Sequence, residues 1–477
     1  MVQISKSVKS LYGLGFMAQG IKNGLFQIFL FFFYNQVLGL DPFITGVALT
    51  IALTFDSVSD PLIGAISDHW KSEKWGRRHP FMFASAIPLG ITLYLLFLPP
   101  IGINETGLFL WLTFFSILVR LSLTLFVVPA MSLGAEMSTN YIERTSITTY
   151  RVTFSSFISP IIIFIGFSTF FTSTPEFSNG MFNVEAYPKF ALLAGFLAVI
   201  AILLSTYFTR GIIPKLPIWK GDDKMSIKSV FNTIKQATSL SSYRSLIIYI
   251  FIFYIAIGIG IIFSPYYITY FFALNEKQFG LMLLTSAPAG IIAFFLGPLL
   301  SRKWDKKNIL ICTSMLTGFF FSSPYNLRFA GFFPENDSSF LLWPLFILTC
   351  LGYTFLWISI SVSHSMMADI IDEYELNYGI RNEGLFFSTL LFANKATTGL
   401  GSLFAGILLK IFEFPEQTDV QDISVNAIMG LGWVGGPIVL FIYLLSIFSL
   451  LFYSLSRERY DTIRIELDKR YEENLKV

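Results

Sequence analysis

Long apolar runs are the feature that most limits what this chain can fold into. They are about 20 to 28 residues long, and a helix of that length crosses the roughly 30 Å of hydrocarbon in a bilayer. Apolar residues make up 54% of the 477 residues and charged residues only 13%, with a mean hydropathy of +0.64. The sequence therefore predicts an all-α membrane protein, because a soluble chain of this size needs more polar surface.

Twelve such runs follow one another along the chain. Their longest polar interruption divides them six and six, which predicts an N-terminal six-helix half over residues 1–211, a cytoplasmic central loop over 212–243, a C-terminal six-helix half over 244–456 and a cytoplasmic tail over 457–477. The predicted spans cover residues 10–38, 44–68, 80–101, 108–134, 148–172, 187–209, 245–274, 280–301, 308–326, 340–366, 385–412 and 430–455.

The distribution of lysine and arginine predicts the orientation of the chain in the membrane. Most of the 33 basic residues fall on one side of the predicted spans, and only Lys189, Lys277 and Arg328 fall on the other. Because basic residues accumulate in cytoplasmic loops, we expect both termini inside a bacterial-type inner (plasma) membrane. The formal net charge of +2 indicates no nucleic-acid partner.

Two aspartates within the second predicted span are the strongest chemical signal. Asp56 and Asp60 are four residues apart and so project from one face of a helix, at a depth where a lone carboxylate costs about 2.5–3.5 kcal/mol. Together they could bind Na⁺, share a proton, or pair with arginine or lysine only to fix helix positions. The sequence leaves these three interpretations open.

The pattern Asp56-x-x-x-Asp60-Pro61-x-x-Gly64 resembles the second-helix signature of the glycoside-pentoside-hexuronide cation symporters of the major facilitator superfamily. That resemblance implies a major facilitator fold of twelve helices in two six-helix halves, with the substrate site between the halves near the midplane. Further matching stretches, in chain order, are Tyr12–Gly15, Trp75–Phe81, Val128–Met137, Glu143–Thr145, Ala368–Asp372, Arg381–Gly384 and Lys395.

The resemblance implies roles for individual residues. Asp56 and Asp60 match the family's cation-coupling carboxylates. The other residues that it places near the cation are Ser59, Thr124 and Lys395. A lysine at that depth needs a carboxylate partner, so we expect a network of Lys395 with the two aspartates. Arg151 matches a residue close to the sugar, although its position also suits an anchor at the cytoplasmic end.

The chain departs from the family at the sugar site. Gly20 and Val127 stand where sugar-binding members carry carboxylates, and Met131 stands where a tryptophan contacts the sugar. Replacement polar contacts in the substrate cavity could come from the first span. The candidates are Gln19, Lys22, Asn23 and Gln27. Lys22 suggests an anionic group on the substrate, or else it pairs with Asp56 or Asp60.

Charged residues at the cytoplasmic ends of helices form a candidate gate. We expect Asp68 to pair with Arg77 and Arg78, and the acids of the tenth span to pair with Arg144 and Arg381. Those acids include Asp369 and Asp372. Such pairs would close the inner side and break when it opens, although charges in these places also serve simply as solvated topogenic residues.

The sequence thus predicts a secondary active transporter working by cation-coupled symport, Na⁺ or H⁺, of a sugar or glycoside-like solute. The alternatives are a cation-coupled symporter of a lysolipid or other amphiphile, and a non-transporting membrane sensor of the same fold. No nucleophile-and-base constellation and no nucleotide-binding motif occurs in the sequence, which indicates neither an enzyme nor a cofactor. We expect a monomer in the lipid bilayer.

Overall fold

The computed structural model describes residues 4–475 except 71, 73–74, 138–140, 178, 216–234, 380–382 and 416–422. Within these residues the only regular secondary structure is helical. The helices are α1 (Lys6–Val37), α2 (Pro42–His69), α3 (His79–Leu96), α4 (Glu105–Glu136), α5 (Tyr141–Ile165), α6 (Ala186–Thr209), α7 (Ser241–Tyr266), α8 (Ser286–Lys303, preceded by Glu276–Leu283), α9 (Lys306–Phe329), α10 (Leu342–Tyr378), α11 (Glu383–Ile411), α12 (Val425–Leu450) and α13 (Arg457–Leu475).

Helices α1 to α12 occur at the positions of the twelve predicted spans. In the described part of the chain, ten helices are long and apolar enough to cross a membrane, so the protein is a multi-pass integral membrane protein. Helices α9 and α11 are not among those ten, and the count of twelve spans therefore stays a prediction.

Side-chain caps begin several of these helices where the apolar runs start. Asp41 accepts a hydrogen bond from the Ile44 backbone N–H at 2.9 Å, and Pro42 occupies the first turn of α2. Asn104 and Asp305 cap α4 and α9 in the same way. Local capping chemistry therefore helps to fix where the membrane helices begin.

By its contacts the chain divides into two compact units. The first comprises Met1–Lys220, Ile261–Leu283 and Thr398–Ile428, and the second comprises Gly221–Gly260, Leu284–Thr397 and Met429–Val477. The first unit thus holds the six N-terminal helices together with the C-terminal ends of α7 and α11. The predicted domain boundaries, including the loop 212–243, are not tested by this division and stay predictions.

Each unit is a bundle of closely packed helices. In the first unit, α4 packs on both α2 and α3, while α1 packs between α5 and α6. In the second unit, α10 packs on α8 and α9, and α9 packs on α12. The predicted cytoplasmic tail is a helix, α13, that packs along α10. The sequence of α13 alternates charged residues and contains no apolar run, so its contact with α10 could not be predicted from the sequence.

Candidate functional site

The two aspartates of α2 lie beside one hydroxyl of α4. Thr124 Oγ1 is 3.1 Å from Asp56 Oδ1 and 2.9 Å from Asp60 Oδ1, so a single hydroxyl joins the two carboxylates. The Asp56 residue is only 5% exposed, and Asp60 is half-buried. Two carboxylates and a hydroxyl at this separation can share one small cation, or can hold a proton between them.

A second residue of α4, Arg120, also reaches this cluster. Its Nη1 donates a hydrogen bond to Asp56 Oδ2 at 3.3 Å, and the residue is 3% exposed. Arg120 lies one turn before Thr124, so both side chains project from the same face of α4. One feature of the sequence indicates that Arg120 has a partner, because an arginine in the middle of an apolar run is a buried charge that must be paired.

Two further residues, Ser59 and Lys395, were predicted to belong to the coupling site. Ser59 is buried, but its hydroxyl donates to the Asp56 backbone carbonyl at 3.2 Å, within its own helix. Lys395 is half-buried on α11, in the part of that helix that belongs to the second unit. Its predicted network with the two aspartates stays a prediction.

The predicted polar residues of α1 lie on a half-buried face of the helix. Lys22 Nζ donates to Asn23 Oδ1 at 3.3 Å and lies 4.8 Å from the centre of the Phe26 ring. The Arg120 guanidinium lies 5.5 Å from the same ring. The other predicted cavity residues are also half-buried, namely Gln19, Gln27, Met131 and Arg151. Arg151 lies 5.6 Å from the ring of Phe16.

The position where sugar-binding relatives carry a first-helix acid is a helix-packing contact here. A Cβ added to Gly20 would lie 2.1 Å from the backbone oxygen of Ser155 and 2.4 Å from Ile158 Cγ2. The backbones of α1 and α5 therefore approach too closely for any side chain at this position. Val127, at the other departure, is half-buried on α4.

Within the first unit, the C-terminal ends of α1, α7 and α11 are joined by a group of polar contacts, here called the end closure. Tyr266 Oη donates to Asn35 Oδ1 at 2.6 Å, and Tyr270 Oη donates to Gln36 Oε1 at 2.7 Å. Gln36 also donates to the Pro415 carbonyl at 3.1 Å. The aromatic rings of Tyr266 and Tyr270 both pack against Phe414. Sequence reasoning missed this group, because Asn35 and Gln36 carry no spacing signature.

The predicted gate residues of the first unit pair with an acid of α4. Arg77 and Arg78 lie 3.0 Å and 2.9 Å from Glu136 Oε1, and Arg78 also donates to Ser67 Oγ at 2.8 Å. Glu136 thus belongs to this cluster, although the sequence did not single it out. The side chains of Asp68 and Arg144 lie outside the described part of the structure, as does Arg381. Their predicted pairs stay predictions.

The predicted gate acids of α10 have basic partners within the second unit. Lys306 Nζ lies 2.6 Å from Asp369 Oδ2, and Arg464 of α13 lies 3.4 Å from Asp372 Oδ2. Arg459 of α13 pairs with Glu373 at 3.1 Å. These three cations were not predicted as gate residues, because residues distant in the sequence form the pairs.

Comparison with known proteins places this geometry in context. The family described as MFS/sugar transport protein matches residues 11–457. A putative glycoside/cation symporter of Escherichia coli is 24% identical over 98% of this chain and 96% of its own length. An isoprimeverose transporter of Lactiplantibacillus pentosus is 24% identical over 94% of this chain and 88% of its own. A sodium-dependent lysophosphatidylcholine symporter of Danio rerio is 32% identical over 32% of this chain and 28% of its own.

Solved structures match the fold as well. A partially occluded inward-open conformation of the xylose transporter of E. coli superposes with a TM-score of 0.60 and 11% identity, covering 94% of this chain and 97% of that one. At this identity the likeness concerns the fold alone. It confirms the predicted major facilitator fold.

Proposed function

Because the chain belongs to the MFS/sugar transport protein family, and within it to the glycoside-pentoside-hexuronide cation symporters, we propose that it imports a sugar or glycoside-like solute together with Na⁺ or H⁺. It is a transport protein and not an enzyme. The observation that carries the proposal is the cluster of Asp56, Asp60 and Thr124, which brings two carboxylates to one hydroxyl in the middle of a membrane helix bundle. Membrane carboxylates so arranged mark ion pathways.

The composition of the cluster favours a monovalent coupling cation. Among the described residues, no third acidic, histidine or cysteine side chain joins Asp56 and Asp60 in a group that could hold a metal. Arg120 already neutralises part of the charge of the pair. A divalent ion prefers more carboxylate ligands than this, whereas Na⁺ or a proton adds the single charge that the cluster can accommodate.

The end closure supports transport by alternating access. With both termini in the cytoplasm, as the basic residues favour, the C-terminal ends of α1, α7 and α11 face the outside. The closure then seals the outer side, and its opening exposes the coupling site to external cation and solute. We place the protein, as a monomer, in the bacterial inner membrane.

The decisive experiment measures solute accumulation in proteoliposomes. Radiolabelled sugars and glycosides are tested with a Na⁺ gradient, a pH gradient or neither, for the wild type, Asp56→Asn and Asp60→Asn. Glu185→Gln, which removes a carboxylate paired with Lys189 at an exposed position, is the matched control. Gradient-driven accumulation should be lost in both aspartate variants and kept in the control. Accumulation that survives loss of both carboxylates would contradict the proposed coupling site.

A lysolipid or another amphiphile is the second candidate substrate. The Danio rerio relative favours it, and Gly20 leaves no room for the acid found at the sugar sites of related symporters. The same assay with labelled lysolipids separates the two substrates, because uptake of lysolipid without uptake of any sugar selects this candidate. A fold-retaining sensor would bind without accumulating either class, and Asp60→Asn would leave its function intact.

A further inference from the structure

The guanidinium group of Arg120 has only part of its hydrogen-bonding capacity used. Nη1 donates to Asp56, but Nε and Nη2 are buried without a hydrogen-bond partner among the described residues. The residue is 3% exposed, so bulk solvent does not reach these donors. Buried donors without an acceptor are rare and costly, and in a transporter they indicate a place that a ligand completes.

A second cation lies close to the first. Lys22 Nζ and the Arg120 guanidinium are both within 6 Å of the centre of the Phe26 ring, at 4.8 Å and 5.5 Å, and the ring itself is 1% exposed. Lys22 lies at the middle of α1 and Arg120 at the middle of α4. Two cations from different helices therefore converge on one ring at one depth.

The charges at this depth balance in a way that links cation and solute. In the middle of the first unit's helices, the charged side chains that the structure describes are Lys22, Arg120, Asp56 and Asp60. Within this unit, these two positive and two negative groups balance one another. A coupling cation bound at Asp56 and Asp60 together with an anion bound at Arg120 and Lys22 leaves that balance unchanged.

From these observations we propose that the solute carries an anionic group, a carboxylate or a phosphate, and that Arg120 and Lys22 bind it. The inference rests on the proposed symport function and narrows its substrate class. The fork of guanidinium N–H groups suits a carboxylate or phosphate, which two parallel hydrogen bonds can engage. A cation at Asp56 and Asp60 competes with Arg120 for Asp56, which frees Nη1 for the anion. Binding of each partner then favours binding of the other.

The test compares ligand pairs that differ mainly in charge. Thermal unfolding of the purified full-length protein is followed in detergent at fixed ionic strength, with and without Na⁺ and at two pH values. The pairs are glucuronate with glucose, and lysophosphatidic acid with monoacylglycerol, so that one pair represents a sugar acid and the other a lipid phosphate. A ligand that binds the folded state raises the unfolding temperature by mass action.

We expect the anionic member of one pair to bind at least about tenfold more tightly than the neutral member. Its affinity should rise further when the coupling cation is present. Arg120→Gln should remove this preference, and Arg120→Lys should restore it only in part, because a lysine keeps the charge but not the fork. Lys22→Met, which leaves the Arg120–Asp56 pair in place, should weaken anion binding even if Arg120→Gln fails to fold.

The outcomes distinguish this inference from the proposed function. If the neutral and anionic members of each pair bind equally to the wild type, or if no anionic ligand binds, the proposed anion site is wrong. The proposed cation coupling is not contradicted by either result. The anion site is also wrong if Lys22→Met and Arg120→Lys, tested separately, both keep the wild-type preference for the anionic ligand. If instead the protein shows no response to Na⁺ or pH that depends on Asp60, the proposed symport function itself fails.

Discussion

The hydroxyl of Thr124 lies within hydrogen-bond distance of both Asp56 and Asp60, and its single proton cannot serve both at once. The Thr124 hydroxyl oxygen would coordinate a bound cation, so Thr124→Ala should remove a ligand and weaken the apparent affinity for the cation. A lost hydrogen bond to a charged group is worth about 1.5–3 kcal/mol, which corresponds to roughly a tenfold or greater rise in the cation concentration for half-maximal uptake.

Thr124→Ser is the matched control, because serine keeps the hydroxyl on the same face of α4. Its cation dependence should remain close to that of the wild type when initial uptake rates are titrated with Na⁺ or with pH. Equal loss in the alanine and serine variants would show that the threonine methyl group, and not the hydroxyl, sets the affinity.

Gly20 gives a prediction about stability. A Cβ at this position would lie 2.1 Å from the Ser155 backbone oxygen, so Gly20→Ala should force α1 and α5 apart at a cost of about 1–3 kcal/mol or more. Gly20→Asp should be worse and should not recreate a sugar-binding acid. The control is Gly290→Ala in α8, where an added Cβ meets nothing within 4 Å, and thermal unfolding in detergent compares the two. A wild-type unfolding temperature in Gly20→Ala would contradict the packing argument.

At the scale of elements, two tyrosines hold the ends of α1 and α7 together. Replacing Tyr266 and Tyr270 with phenylalanine keeps the rings packed on Phe414 but removes the hydrogen bonds to Asn35 and Gln36. The closed arrangement should lose about 1–3 kcal/mol, because Gln36 Oε1 loses the donor of Tyr270, while Asn35 Oδ1 loses that of Tyr266 and keeps the side-chain N–H of Gln36 at 2.8 Å. The population should therefore shift towards a form open at this end.

Spin-label distances measured across the closure report that shift. The control is Tyr249→Phe, which removes a buried hydrogen bond to Ser314 within the second unit. This variant should lower stability without changing the distances. A double tyrosine variant with the wild-type distance distribution would show that ring packing alone maintains the closure.

The packing of α13 on α10 gives a prediction about pH. Tyr460 donates to Asp372 Oδ2 at 3.1 Å, and burial together with the nearby carboxylates raises the pKa of its hydroxyl to about 12. Its ordinary pKa is about 10. A raised folded-state pKa means that the stabilisation is complete below pH 10 and is lost as the pH rises towards 12. Helix α13 should therefore detach in that range, as hydrogen exchange of its amides would show.

Tyr460→Phe separates this effect from other alkaline titrations. The variant lacks the hydroxyl, so the difference in α13 protection between it and the wild type should be present at pH 9 and should shrink towards pH 12. A difference that stays constant over that range would exclude ionisation of Tyr460 as the cause.

At the scale of the whole molecule, the apolar runs predicted the helices well because membrane solvation leaves few other options for the backbone. The sequence also predicted the Asp56–Asp60–Thr124 cluster, since helical spacing and a family motif both pointed to it. Arg120 and the end closure were missed for a physical reason. Their partners lie on other helices, 64 residues away for Arg120 and 231 for Asn35, and no local pattern encodes such pairs.

Alternating access requires that the end closure open in every transport cycle. A short bis-maleimide bridge between Gln36→Cys and Tyr270→Cys, in a background without Cys312 and Cys350, should therefore abolish net uptake in proteoliposomes. The same bridge should leave cation-dependent thermal stabilisation intact, because Asp56 and Asp60 lie in the middle of α2, away from the linked ends. Each single-cysteine variant treated with the reagent controls for its chemistry. Full uptake by the bridged protein would mean that these ends stay together during transport and that the solute enters by another route.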